Sequence, residues 1–201
     1  MALNVDQVAR IWGVIPAAGM GRRMGRPKQS LAFRGSTMAG AVVNTVLCAG
    51  VSGVVVVTRT ELVEKLELPT DPRITMAIND DSESEMIDSI RIGLTTVDEF
   101  RPGERDGILV VPADMPTLAV ETCRVCVDRF RSAPQRIVVA AYQGKRGHPI
   151  IFPYAMREIV RGLTGGLRML PQTYEDRLTL VTVDDPGADL DIDTSEDYEK
   201  L

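Results

Sequence analysis

Short blocks of apolar, mostly β-branched residues recur along the chain, separated by longer stretches whose apolar positions return every three or four residues. The blocks read as strands over 11–16, 53–58, 73–78, 107–111, 136–141 and 178–183. The stretches between them read as helices over 37–49, 61–67, 86–99, 119–131 and 154–161, with Ser36 and Thr60 placed to cap the first two. Such alternation implies βαβ crossovers. It predicts an α/β chain folded as a single Rossmann-like three-layer domain over 1–201, with a mainly parallel sheet and helices on both faces. Residues 148–153 read as a short extended excursion, followed by a turn at Gly165 and Gly166. Neither a repeat nor a linker interrupts the pattern. In open sheets of this kind ligands bind beyond the carboxyl ends of the strands, where the strand order reverses. The chemistry is therefore expected in the loops that follow strands.

Composition narrows the function classes. Of 201 residues, 44% are hydrophobic and 25% charged, which excludes a disordered or low-complexity scaffold. The longest apolar runs, 54–57 and 137–141, fall far short of the ~18 residues that span a bilayer. No secretory signal is readable at the start, so a cytoplasmic enzyme or binding domain is expected, without a membrane partner. A net charge of −5 with 4% aromatic residues argues against a nucleic-acid partner, which would need a basic face and stacking rings. The 3 cysteines, an odd number, suit a reducing compartment. Cys123 and Cys126 form a C-x-x-C, but Val120, Val127 and Phe130 recur with them at helical spacing. They read as buried helix residues rather than as a redox or metal pair.

Three loops are chemically unusual. After the first strand, the run AAGMGRRMGRPK at 17–28 opens a segment in which Arg22, Arg23, Arg26, Lys28 and Arg34 meet no acidic residue before Ser36. Glycines at 19, 21 and 25 let backbone N–H groups turn inward around phosphate oxygens that Arg and Lys neutralise. Neither the dinucleotide fingerprint nor the Walker A pattern fits its spacing. After the fourth strand, Asp114 stands in VPADMPT, either as a turn or cap residue or as a ligand of a hard divalent cation such as Mg2+, which takes one or two carboxylates and completes its shell with phosphates and water. The chain end carries eight acidic residues between 184 and 199. Most read as a solvated face, with Ser195 capping a last helix. Asp191 and Asp193 follow the sixth strand and would face the edge that carries Asp114.

The first loop resembles the A-A-G-x-G-x-R-M-G-x-x-K signature of the nucleotidyltransferase superfamily, matched by Ala17, Ala18, Gly19, Gly21, Arg23, Met24, Gly25 and Lys28. Four further segments are similar to motifs of the MobA-like nucleotidyltransferases, in their molybdenum cofactor cytidylyltransferase branch: MIDSIRIGL at 86–94, D-x-P at Asp114–Pro116, R-G-H-P at Arg146–Pro149 and D-x-D-T-[PS]-E-D at 191–197. The P-K-Q at 27–29 is shared with the cytidylyltransferase of isoprenoid synthesis. The resemblance implies transfer of CMP from CTP to the terminal phosphate of molybdopterin, with release of pyrophosphate. It implies that Arg23 and Lys28 hold the outer phosphates and that Ala17, Ala18, Gly19 and Gly21 approach the nucleotide. It further implies that Asp114, Asp193 and Asp191 hold Mg2+, that Asn79 and Ser89 contact ribose or base, and that His148 and Arg168 meet the pterin substrate. A molybdoenzyme or its maturation chaperone is the implied protein partner. Two departures stand out: Glu85, where relatives carry Gly, and LTGGLR at 163–168, which lacks the acid found in relatives. Transfer to another phosphorylated acceptor, a non-catalytic carrier of the molybdenum cofactor and an NADP-dependent oxidoreductase are the competing readings.

Overall fold

The structure, a computed structural model, describes residues 8–21 and 25–201. Its strands in chain order are β1 (Ile11–Ala17), β2 (Ala32–Phe33), β3 (Ser36–Thr37), β4 (Gly53–Thr58), β5 (Ile74–Ile78), β6 (Gly107–Val110), β7 (Ile137–Tyr142), β8 (Lys145–Pro153) and β9 (Leu178–Thr182). Its helices are α1 (Met38–Cys48), α2 (Met86–Glu99), α3 (Val120–Ser132), α4 (Arg157–Arg161), α5 (Met169–Thr173) and α6 (Ser195–Glu199). Strands β2 and β3 make a small antiparallel pair, and the other seven form one sheet in the order β5-β4-β1-β6-β8-β7-β9. Pairing is parallel between β1 and β4, β1 and β6, β4 and β5, and β7 and β9. Only β8 runs against its neighbours, β6 and β7.

Alternation along the strands divides the core. Ile11, Ile15, Val54 and Val56 pack towards α1 and α3, against Val42, Val46, Val127 and Phe130. Val14, Val55, Val57, Ile108 and Val110 point the other way, onto Ile87, Ile90, Leu94 and Val97 of α2. Full burial of one such side chain contributes about 1.5–3 kcal/mol, so the sheet is sandwiched between helices as the pattern predicts. Cys123 and Cys126 belong to the α3 face of this core. Burial raises both thiols, Cys126 to about 12, which keeps them protonated and unreactive.

Four local expectations are corrected. The 148–153 excursion is part of a nine-residue strand, β8, inserted between β6 and β7. Pro149 argues against a central strand because it donates nothing to the ladder. The sheet accommodates it with a register shift opposite, between Val139 and Ala141. The helix expected over 61–67 is two 3-10 turns, Thr60–Leu62 and Glu64–Leu66, stopped by Glu67 in the left-handed region. Thr37 rather than Ser36 caps α1, accepting from the Gly40 N–H. Thr194 rather than Ser195 caps α6, in a reciprocal box with Asp197.

The order of the sheet locates the functional edge. From β1 the chain adds β4 and then β5 on one side, after which β6 docks on the other side of β1. The order thus reverses between β1 and β6, and their carboxyl ends flank the crevice.

Candidate active site

A cavity of about 590 Å³ opens at this edge. One wall is the end of β1 and the glycine loop, Pro16 to Gly21, and the facing wall is the segment Asp81 to Met86 with Ser89 of α2. Pro112, Ala113, Asp114, Lys28, Gln29 and Asp193 complete the lining.

The glycine wall is held from behind. Buried Gln29 donates through Nε2 to the carbonyls of Ala17 and Gly19, both at 2.8 Å. The Thr58 hydroxyl donates to the same Ala17 carbonyl at 3.1 Å. At Gly21 the backbone takes φ +60°, and a Cβ there would lie 1.8 Å from the Arg26 carbonyl oxygen. Only glycine lets the loop fold back on itself at that point. Ala17, Ala18, Gly19 and Gly21 thus line the cavity, whereas Arg23 lies outside the described residues.

Asp114 arrives on the loop after β6, which the Ala113 N–H pins to the Pro16 carbonyl at 3.1 Å. The Ile192 N–H donates to the Asp114 carbonyl at 3.0 Å, and the Ile192 side chain is buried among Leu31, Phe33 and Met38. That anchor brings the 191–193 segment beside Asp114. Lys28 reaches between the two loops: its ammonium is ion-paired with Asp193 and lies 3.7 Å from Asp114 Oδ2. Burial pushes the Asp114 carboxyl up, Lys28 opposes the shift, and the Asp191 and Asp193 charges reinforce it. Asp114 Oδ1 is buried and accepts no hydrogen bond. A buried carboxylate oxygen without a partner is costly unless a cation or donor meets it. Among the described residues no group of three or more His, Cys, Asp or Glu side chains could enclose a metal. Two carboxylates beside a cavity walled by a glycine loop nonetheless fit a hard divalent cation of the kind that takes its other ligands from phosphate and water. Asp191 is exposed and does not line the cavity; it acts on Asp114 as a nearby like charge.

The facing wall follows β5. Asn79, 4% exposed, does not line the cavity. Its Nδ2 donates to Ser89 Oγ at 2.9 Å and to Ser84 Oγ at 3.1 Å, so it braces the wall from beneath instead of touching a nucleoside as expected. Ser89 itself does line the cavity. Glu85 is the N-cap of α2: it accepts from the Asp88 N–H, while the Asp88 carboxylate accepts from the Glu85 N–H at 2.8 Å.

His148 stands near the start of β8. Because β8 is antiparallel, that start shares the edge carrying Asp114, yet His148 does not line the cavity. Burial holds its imidazole down to about 4, against the pull of the Asp189 carboxylate. Arg168 is not brought to the site. Leu167 and Leu170 turn into the core on the α2 face and leave Arg168 exposed at the start of α5. Close by, Gly147 meets the turn Pro186–Ala188 with no space to spare: a Cβ would lie 1.9 Å from the Ala188 carbonyl oxygen. The same turn is gripped by Asp185, whose carboxylate accepts from the Gly187 and Ala119 N–H groups, each at 2.9 Å, and from the Thr122 hydroxyl at 2.7 Å.

The profile of the MobA-like NTP transferase domain matches residues 13–178. The chain belongs to this family. Proteins that it resembles include the purine catabolism protein PucB of Bacillus subtilis, 28% identical, with 94% of each chain covered. The nicotine blue oxidoreductase of Paenarthrobacter nicotinovorans is 29% identical over 95% of this chain and 96% of its own. Among solved structures, Rv0371c of Mycobacterium tuberculosis H37Rv superposes with a TM-score of 0.78 at 27% identity, covering 96% of this chain and 98% of that one. A complex of Rv0371c with manganese scores 0.74 at 25% identity with the same coverage. The family and the mainly parallel sheet covered by helices agree with the sequence expectations, apart from the inserted strand β8.

Two sets of lining residues escaped the sequence reading. Gln29 was visible only as part of P-K-Q, and its role depends on a side chain reaching back to carbonyls ten and twelve positions earlier. Asp81 and Glu83 sit in an acidic stretch whose composition is that of any solvated loop.

Proposed function

We propose that the chain is a divalent-metal-dependent cytidylyltransferase that moves CMP from CTP to the terminal phosphate of molybdopterin. The observation that carries this reading is Lys28 set between Asp114 and Asp193, beside the buried, unpartnered Oδ1 of Asp114 and below the glycine loop. In such a displacement an oxygen of the acceptor phosphate attacks the α-phosphorus and the bond to pyrophosphate breaks. The substrate brings its own nucleophile, so the protein needs no activated Ser or Cys. Its task is to position and to neutralise. Asp114 and Asp193 would hold Mg2+ or Mn2+, which supplies positive charge across the phosphates when bound. Lys28, joined by Arg23, neutralises the departing pyrophosphate. The glycine loop lets backbone N–H groups approach the nucleotide, and the Ser89 hydroxyl, on the facing wall, would contact the ribose or the base. His148 is assigned to the acceptor side because β8 delivers it to the same edge beyond the cavity.

The test is direct. The protein is incubated with Mg2+, each of the four NTPs and molybdenum-loaded molybdopterin, and pyrophosphate and product mass are measured. CTP should exceed GTP by at least about tenfold in kcat/KM, equivalent to ~1.4 kcal/mol. Equal use of both removes the cytidylyl assignment, and turnover with methylerythritol phosphate but not molybdopterin replaces the acceptor. A second reading, a redox reaction in the same cavity, is favoured by the 29% identity to nicotine blue oxidoreductase. NADPH oxidation without pyrophosphate release would establish it.

A further inference from the structure

Behind the serine-bearing wall of the cavity lies a buried cation that the proposed chemistry does not use. Arg59 follows directly on β4, is 9% exposed and does not line the cavity. Its Nη2 donates to the Asp80 carbonyl at 2.8 Å and its Nη1 to the Asp81 carbonyl at 3.4 Å. Its Nε lies 3.5 Å from the Glu61 carboxylate. The neighbouring residue completes the attachment: the Asp80 carboxylate accepts from the Thr60 N–H at 2.8 Å and from its hydroxyl at 2.7 Å. Those two bonds, chiefly the hydroxyl's, hold the Asp80 carboxyl below its ordinary range.

Residues 59 and 60 thus bolt the segment after β5 to the end of β4. Beyond the bolt, the Ser84 hydroxyl donates to the Asp81 carbonyl at 2.8 Å. The carbonyl that Arg59 orients therefore also fixes Ser84, which lines the cavity. A buried charge is expensive to desolvate, and here the two carbonyls meet the Nη groups while Nε has only the Glu61 charge nearby and no hydrogen bond. The planar fork of arginine can address two consecutive carbonyls at once, which a lysine ammonium does with less geometric definition.

We propose that Arg59 is a positioning residue, which fixes the Asp81–Ser84 wall in the shape that receives the nucleoside end of the substrate. It touches neither substrate nor reacting atoms. This inference rests on the nucleotidyltransferase reading of the cavity. Its signature is a loss of nucleotide affinity with the chemical step intact.

The experiment compares the wild-type chain with Arg59→Met, Arg59→Lys and Asp80→Ala. It measures CTP binding by calorimetry in Mg2+, kcat and KM for pyrophosphate release, amide hydrogen exchange over 80–85, and Tm. Arg59→Met should raise the CTP Kd and KM about tenfold, leave kcat within about twofold and speed exchange in the segment. Arg59→Lys should recover part of the affinity, and Asp80→Ala should shift it in the same direction by less. If Arg59→Met does not fold, the other two variants carry the same test. An unchanged KM, or a fall in kcat that follows the loss of Tm with no recovery in Arg59→Lys, overturns the role. Wild-type protein that binds no NTP overturns both this inference and the cavity reading. Wild-type binding that the variants leave untouched overturns only the inference.

Discussion

The glycine wall, Pro16 to Gly21, is gripped from behind by two side chains, Gln29 and Thr58, which meet at the Ala17 carbonyl. The wall after β5 is cross-braced instead: Arg59, Asn79, Thr60 and Ser84 bond to it at Asp80, Asp81, Ser84 and Ser89. Triphosphates are alike in every nucleotide, so a phosphate wall needs charge and accessible backbone more than a fixed outline. A nucleoside is distinguished by the placement of a few donors and acceptors, and small displacements of a buried partner are costly. On the proposed reading of the cavity, the difference in bracing matches that division of labour.

The sharpest break between catalysis and bracing comes at the cavity floor. Asp114→Asn keeps the volume and removes the charge that faces Lys28 and that, on the proposed reading, would hold the cation, so kcat should fall by about 10³-fold or more while Tm changes little. Near-normal turnover at saturating Mg2+ would defeat the assignment. Lys28→Ala comes next, with kcat down about 10²-fold. If only the nucleotide KM rises, Lys28 contributes uniform binding and its role at the leaving group is wrong.

Gln29→Ala tests the glycine wall in the way Arg59→Met tests the other. The Gly19 carbonyl loses its side-chain donor and the buried Ala17 carbonyl keeps only Thr58, at a cost of about 1–3 kcal/mol. Both Tm and triphosphate affinity should drop, the latter by about tenfold for CTP and GTP alike. A selective loss for one base would mean that this wall, too, reads the nucleoside. The smallest effect belongs to His148, outside both walls. Its folded imidazole titrates at about 4 against an ordinary value of 6.5. Between those values the unfolded chain takes up a proton that the folded chain refuses, so stability declines as pH falls through that window. The decline is modest, because His148 is partly exposed near the start of β8 and solvent screens part of the shift. His148→Gln should flatten a plot of Tm against pH from 6.5 to 4. An unchanged slope would show that other groups set the acid limb.

The hydrophobic pattern made most of this legible. Strands buried on both faces, such as VVVV at 54–57, announce themselves by continuous apolar β-branched residues, and α2 was placed at its observed ends by a clean helical period. Strand β8 was under-read because Pro149 breaks the ladder and nothing local shows that a neighbour will bulge to accommodate it. At the site, Lys28, Asp114 and Asp193 were recognisable from residue type and loop position. Asn79 and Ser89 were named as contacts, and the structure separates them into a brace and a lining residue. Arg168 is exposed and off the cavity, since sequence similarity does not report which way a turn aims its side chain. Such distinctions depend on burial and three-dimensional approach.

The contact between Gly147 and the Ala188 carbonyl couples two ends of the edge mechanically. A backbone-to-backbone contact with no room for a methyl group has nothing compressible in it, unlike a seam of flexible side chains. One side of the seam leads within a residue to His148. The other leads in five residues to Asp193, along a segment already tied down by Asp185 and by the Ile192 N–H. Load applied at the start of β8 is therefore transmitted along the backbone towards the carboxylates, and the His148 end and the Asp193 end of the edge behave as one rigid jig.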